Sequence, residues 1–148
     1  MSARFRVRRL RVGDLDRILE IENSCFGADA YDRNTFADYF RRCGGLFLAA
    51  ERGRRVWGYL IACARRDCAE LVSVAIHPAA RRQGAASALM DSALRRLKRT
   101  RVARLTLMVK ITNREAQAFY AGYGFTKVRL VRRYYEDGAD GWLMARNL

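Results

Sequence analysis

Residues 71–97, LVSVAIHPAARRQGAASALMDSALRRL, constrain the fold more than any other stretch of the chain. Residues 70–76 are nearly continuously apolar and carry the β-branched Val72, Val74 and Ile76, the pattern of a strand buried on both faces. Pro78 stops it, because proline offers no amide proton to a ladder. From Ala86 onward Leu89, Met90, Ala93 and Leu97 recur at three- and four-residue steps, which predicts a long helix lying on a sheet. A strand followed by such a helix leads to a parallel neighbour strand. Residues 105–109, with Leu105, Leu107 and Val109 alternating, supply it. The fold class is therefore α/β (α+β), built on a mixed sheet.

The remaining elements follow from periodicity and punctuation. Residues 4–10 alternate, with Arg4, Arg6 and Arg8 opposite Phe5 and Val7, as in a half-buried strand. Gly13-Asp14 breaks it, and Asp14 is placed to cap a helix carrying Leu15, Ile18, Leu19, Ile21 and Cys25 on one side. A loop covers residues 26–31. Asp32 or Asn34 opens a second helix, which Gly44-Gly45 ends. Residues 46–51 and 56–64 read as a hairpin turning at Gly53. Asn113 caps a shorter helix presenting Ala116, Phe119, Tyr120 and Tyr123. Residues 125–135 and 141–145 form a closing hairpin around residues 136–140. The sum is about seven strands and four helices, with no repeat and no linker, and a single domain is expected over residues 1–148.

Charge is the outlier in composition. The 148 residues carry a formal +14, which attracts polyanions such as nucleic acid, an anionic cofactor or a ribosomal surface. Arginines on a well-solvated surface give the same number. The basic run at residues 95–104 lacks the interleaved aromatics of a nucleic-acid platform, so it reads as a solvated helix end and nucleic acid is not expected as a substrate. Cys25, Cys43, Cys63 and Cys68 fit no zinc or redox spacing, and there is one histidine, so no metal is expected. The N-terminal MSARFRVRRL has no apolar core of a secretory signal, and no run reaches membrane-spanning length. A reduced, cytoplasmic protein with free thiols and no membrane association is the expectation.

Arg81-Arg82-Gln83-Gly84-Ala85-Ala86 lies between the buried strand and the helix start. A helix N-terminus offers unpaired N–H groups and the positive end of the dipole, which suits a phosphate. Gly84 lets the backbone approach closely, Ala86 keeps the wall small, and Arg81 and Arg82 add charge. Neither the dinucleotide glycine spacing nor a phosphate-loop Gly-Lys-Ser/Thr is present.

These residues carry a resemblance. R-x-x-G-x-A after V-A-I-H-P and before A-L-M resembles the acetyl-CoA loop of the GNAT superfamily of N-acetyltransferases. Asn113…Ala116…Tyr120…Gly124-Phe125 resembles that family's second block, N-x-x-A-x-x-x-Y-x-x-x-G-F. The resemblance implies a splayed mixed sheet with acetyl-CoA as co-substrate. It implies that backbone groups of Val74 and Ile76 meet the pantetheine arm and that amides from Arg82 through Gln83, Gly84 and Ala85 to Ala86 hold the pyrophosphate. Asn113 would touch the cofactor, and Tyr120 would protonate the leaving thiolate.

Two branches of the family compete for the acceptor. Ala69-Glu70-Leu71-Val72 resembles the A-E-I-V strand of the histone acetyltransferase branch, which implies Glu70 as general base. Arg132-x-Tyr134-Tyr135…Asp140-Gly141-x-x-Met144 resembles the end of the protein N-terminal acetyltransferases, including the bacterial ribosomal-protein alanine branch. That implies Tyr31, Tyr134 and Tyr135 against a peptide's first residues, with a ribosomal protein among the partners. Met108 stands where that branch has a glutamate, and it cannot take a proton, so either Glu70 takes over, or a water chain does, or the substrate differs. The favoured reaction is direct acetyl transfer to a protein N-terminal α-amine in a ternary complex. The alternatives are a small-molecule amine, a lysine side chain, or a non-catalytic basic module on RNA or a ribosome. His77, ahead of Pro78, is not expected to do chemistry.

Overall fold

The computed structural model describes residues 4–148. The reading of the N-terminal segment as free of a signal rests in part on residues 1–3, which lie outside that range. The elements are β1 (Arg6–Arg9), α1 (Leu15–Phe26), α2 (Arg33–Cys43), β2 (Phe47–Arg52), β3 (Arg55–Arg65), β4 (Cys68–Ile76), α3 (Ala85–Lys98), β5 (Arg104–Lys110), α4 (Arg114–Gly122), β6 (Thr126–Val131) and β7 (Gly141–Asn147). The seven strands are ordered β1-β2-β3-β4-β5-β7-β6. β4 is thus central, and Cys68–Leu71 runs parallel to Arg104–Leu107, as the strand-loop-helix pattern requires. β1 with β2, β2 with β3, β5 with β7 and β6 with β7 pair antiparallel. No helix among the described residues is long and apolar enough to cross a membrane.

The chain divides into two compact units. The first comprises Met1–Cys63 and Ser73–Thr100. Its strand β2 is buried on both faces, since Phe47, Leu48, Ala49 and Ala50 are all inaccessible. On one face Phe47 meets Phe36 of α2 and Tyr59 of β3, with ring centroids 6.1 and 5.9 Å away. α3 packs on β1 and β2, burying Leu89, Met90 and Leu97. Burying side chains of this size contributes about 1.5–3 kcal/mol each, which offsets the entropy of ordering them. The β2–β3 hairpin turns through Gly53 and Arg54, both left-handed at φ 63° and 62°, the geometry that matches strand twist in a two-residue turn.

The second unit comprises Ala64–Val72 and Arg101–Leu148. Its core is Leu105, Leu107 and Val109 of β5 with Phe125, Met144 and Ala145. Gln117 of α4 donates to the carbonyls of Lys110 (2.9 Å) and Ile111 (3.0 Å), which ties the helix to the end of β5.

Four local expectations are corrected or resolved. Asp14 stands at the N-cap of α1 but makes no side-chain cap bond; its carboxylate takes the Arg8 guanidinium at 2.7 and 3.0 Å and the Arg11 amide at 2.7 Å. Asp32, not Asn34, caps α2, accepting from Thr35 N–H at 2.8 Å. The last hairpin strand ends at Val131 rather than at Tyr135. Arg133 turns left-handed at φ 53° and its amide donates to Asp140 Oδ1 at 2.8 Å, so residues 132–135 belong to the loop. The expectation of four free thiols fails for Cys43 and Cys63, which α2 and β3 bring together as a disulfide, Cα atoms 5.0 Å apart. That separation falls within disulfide range, and a 20-residue spacing could not show it. Cys25 and Cys68 are free.

Burial pushes the Asp14 carboxyl up, but Arg8 and the Arg11 amide outweigh it and hold the group below its ordinary range. A depressed carboxyl contributes stability above its unfolded value, and that contribution is lost as pH falls through the lower folded value. Asp14→Asn is therefore expected to cost about 1 kcal/mol at neutral pH, a difference that shrinks once pH falls below the ordinary carboxyl range and vanishes below the depressed folded value. Thermal melts of both proteins across that range test this; a pH-independent difference contradicts the ion-pair origin.

Candidate active site

The first unit carries the loop expected to cradle an anion. β4 ends at Ile76, and His77 N–H donates to Trp57 O at 2.7 Å, which holds the strand end against β3. A close approach makes this possible: a Cβ on Gly58 would lie 2.5 Å from Ile76 Cδ1 and 3.0 Å from the Ala75 carbonyl oxygen. His77 caps the short turn Pro78–Ala80, its Nδ1 accepting from Ala79 N–H at 3.0 Å. Burial and the nearby Arg17, Arg55 and Arg81 hold its pKa below the ordinary range. Arg81 folds back, donating to Ile76 O at 3.2 Å and touching Cys25 Sγ at 3.3 Å. Gln83 is braced by Arg52 (2.6 Å) and by Ala79 O (3.3 Å).

These braces shape the loop. Arg82 and Gly84 are both left-handed, at φ 61° and 90°, and Gly84 is the N-cap of α3 without a side-chain cap bond. Alternating backbone handedness turns successive N–H groups toward one point, and the helix dipole adds positive potential there. Nothing lies within 4 Å of where a Gly84 Cβ would stand, so the space over the helix start is open to a ligand. Residues 82–86 therefore fit a diphosphate. Val74 and Ile76, the residues expected against pantetheine, are half-buried on β4.

The second unit carries the phenol. Asn113 caps α4, its Oδ1 accepting from Ala116 N–H at 3.1 Å, so the motif asparagine orients the helix whatever else it touches. Tyr120 sits one turn from the end of α4. Its carbonyl accepts from Tyr123 N–H (2.9 Å) and Phe125 N–H (3.1 Å), and its ring meets Phe119 and Phe125 edge-on at 5.6 and 5.9 Å. Burial pushes the phenol up to about 12, so it is a proton donor at any physiological pH. Glu70 is exposed on β4, opposite Thr106 of β5. It lies at the open surface rather than in an apolar pocket. Met108 lies half-buried on β5 opposite Leu143.

The three tyrosines expected against a peptide are each braced locally. Tyr31, in the loop between α1 and α2, meets Phe36 edge-on at 5.8 Å and Tyr39 at 6.0 Å. Tyr134 is 49% exposed and its ring meets Tyr135 edge-on at 5.0 Å. Lys110 stands 5.1 Å from the Tyr135 ring and pairs with Asp137 at 2.9 Å. Sequence reasoning missed Gly58, Gln117, and the buried Glu22 with its partners Tyr59 and Ser73. None belongs to a motif, and their roles appear only through contacts distant in sequence.

Comparison with known proteins bears on this geometry. The pattern of the Acetyltransferase (GNAT) family matches residues 15–125. An N-alpha-acetyltransferase of Saccharolobus solfataricus is 29% identical over 97% of this chain and 93% of its own length. The crystal structure of the ribosomal-protein-S18-alanine N-acetyltransferase from Escherichia coli superposes with TM-score 0.86 at 28% identity, covering 97% of this chain and 93% of that one. Ard1 from Thermoplasma volcanium shares the fold, with TM-score 0.94 at 24% identity over 99% of both chains. The chain belongs to the GNAT family of acetyltransferases. Its activity is the transfer of an acetyl group from acetyl-CoA to an amine.

Proposed function

We propose that the acceptor is the α-amino group of a protein N-terminus and that transfer is direct, with both substrates bound together. The observation that carries this reading is the near full-length match to a relative named for α-amine acetylation. Acetyl-CoA supplies the thioester whose acetyl group the amine takes. The amides of residues 82–86 hold its diphosphate, the β4 backbone at Val74 and Ile76 pairs with its pantetheine amides, and Asn113 adds a contact. Tyr31, Tyr134 and Tyr135 seat the first residues of the peptide, offering rigid area and hydroxyls for its backbone. The Tyr120 hydroxyl donates to the sulfur as negative charge develops there.

The choice of amine sets how much basicity the protein must supply. An α-amine of pKa about 7.7–8.0 is roughly one-tenth neutral at pH 7, whereas a lysine at about 10.4 is neutral in fewer than one molecule in a thousand. An exposed carboxylate such as Glu70, acting through water, is a modest base and suits the α-amine. Glu70→Gln is expected to lower kcat/KM for a peptide by about 100-fold and to flatten the rise of rate with pH. A profile that keeps its height and shape removes Glu70 as the base.

The function itself is tested with three acceptors: peptides with free N-termini, the same peptides blocked at the N-terminus but bearing lysine, and polyamines. Ribosomal-protein N-terminal sequences belong in the first set, and we place the reaction in the cytoplasm, with such proteins as partners. Mass increase at the α-amine alone is the expected result. Transfer only to polyamines or lysine overturns the reading.

A further inference from the structure

Glu22 of α1 is a buried carboxylate that neither the cradle nor Tyr120 uses. It is 2% exposed, yet its charge is well provided for. Oε2 accepts from the backbone N–H of Tyr31 at 2.9 Å. Oε1 accepts from the Tyr59 hydroxyl on β3, which is itself fully buried. The Tyr59 oxygen lies 3.0 Å from Ser73 Oγ on β4. With the Tyr59 proton committed to Glu22, Ser73 donates to Tyr59, and the chain of bonds runs from β4 through β3 to α1 and out to the α1–α2 loop. Burial pushes the Glu22 carboxyl above its ordinary range, against the lowering effect of the two bonds. A buried ionic group is weak evidence for stability, since well-packed apolar residues often serve a fold as well, and in some proteins such groups are kept for placement.

We infer that Glu22 is a positioning residue for the acceptor: it pins the Tyr31 backbone, and with it the loop wall that receives the peptide's first residues. This rests on the N-terminal acceptor proposed above. Tyr31 follows the short turn Gly27–Asp29 and precedes the Asp32 cap of α2, so the Glu22 bond ties α1 to the backbone between two helix ends. The anion cradle of residues 82–86 makes no bond to Glu22 among those described, so losing the tether acts on one substrate and spares the other.

Two substitutions separate this role from others. Glu22→Met keeps the volume, strands the Tyr31 N–H, and leaves Tyr59 bonded to Ser73. It is expected to raise KM for an N-terminal peptide about tenfold, with kcat and the KM for acetyl-CoA within about twofold of wild type. Glu22→Gln can reverse the chain: its Oε1 accepts from Tyr31, its Nε2 donates to the Tyr59 oxygen, and Tyr59 donates to Ser73. It is expected to restore the peptide KM. Ile18→Val, a core change on the same helix, controls for lost stability and should leave the peptide KM unmoved. Should Glu22→Met fail to fold, Glu22→Asp, one methylene short of Tyr31, carries the same expected split. An unchanged peptide KM in Glu22→Met or Glu22→Asp overturns the inference, as does a parallel rise in the acetyl-CoA KM. A Glu22→Gln enzyme that loses kcat also overturns it, because the carboxylate would then act in the chemistry. Wild-type enzyme that acetylates no N-terminal peptide sinks the proposed function instead, a result separable from all of these.

Discussion

Tyr120→Phe is expected to lower kcat about 100-fold while leaving KM for acetyl-CoA within about twofold. The ring packing against Phe119 and Phe125 survives the loss of one oxygen, so the substitution removes a proton donor and little else. The high phenol pKa sharpens the role. Against a thiol of about 8.5, full transfer from a phenol near 12 is uphill by about 5 kcal/mol. In the proposed mechanism the hydroxyl therefore acts chiefly by donating a hydrogen bond to sulfur as charge gathers, with the solvent completing protonation of the departed thiolate. The pH dependence follows by sign. A donor near 12 stays protonated below that value, so Tyr120 causes no fall in kcat up to about pH 10. An unchanged kcat in Tyr120→Phe, with chemistry rate-limiting, removes the role; a basic-side fall near pH 9 that vanishes in the variant contradicts the high pKa.

Gly58→Ala is expected to act at a distance from any motif. The new Cβ collides with Ile76 Cδ1 and presses on the Ala75 carbonyl oxygen at 3.0 Å. The isoleucine tip can swing away, but the carbonyl is backbone and can yield only if the strand end shifts. Overpacking of this kind costs about 1–3 kcal/mol, more than the roughly 0.5–1 kcal/mol that alanine gains over glycine in chain entropy. The shift falls on the β4 backbone proposed to meet pantetheine, so KM for acetyl-CoA should rise about tenfold with the melting temperature falling. A variant with unchanged melting temperature and acetyl-CoA KM shows that the strand end yields freely.

The fold was legible where a physical rule has few solutions. The apolar strand at residues 70–76, only partly buried in the structure, and the helix after it leave a parallel β4–β5 pair almost no alternative. The loop and helix start that carry the proposed cradle were legible because a glycine such as Gly84 favours a helix boundary. Sequence reasoning stumbled where side chains had several partners to choose from. Asp14 looks like a side-chain cap for the helix that follows, yet the Arg8 guanidinium and the Arg11 amide upstream take its carboxylate. Tyr134 and Tyr135 look like strand residues, yet Asp140 draws the chain into a turn before them. Glu22 belongs to no motif, and its place next to Ile21 gives no sign of burial. Nothing in its neighbourhood along the chain announces Tyr59 or Ser73, 37 and 51 residues away.

The two ends of the strand order have a bearing on how this protein behaves in concentrated solution. β1 and β6 are the outer strands, and each offers unpaired backbone groups to any passing extended chain. Arg6 and Arg9 stand exposed on one, Lys127 and Arg129 on the other, beside the exposed Val128 and Leu130. A second copy adding its edge would have to bring like charges together at strand spacing. Part of the +14 charge thus acts as a guard against sheet-to-sheet joining. Such protection weakens as salt shortens the reach of charge, to about 3 Å at 1 M.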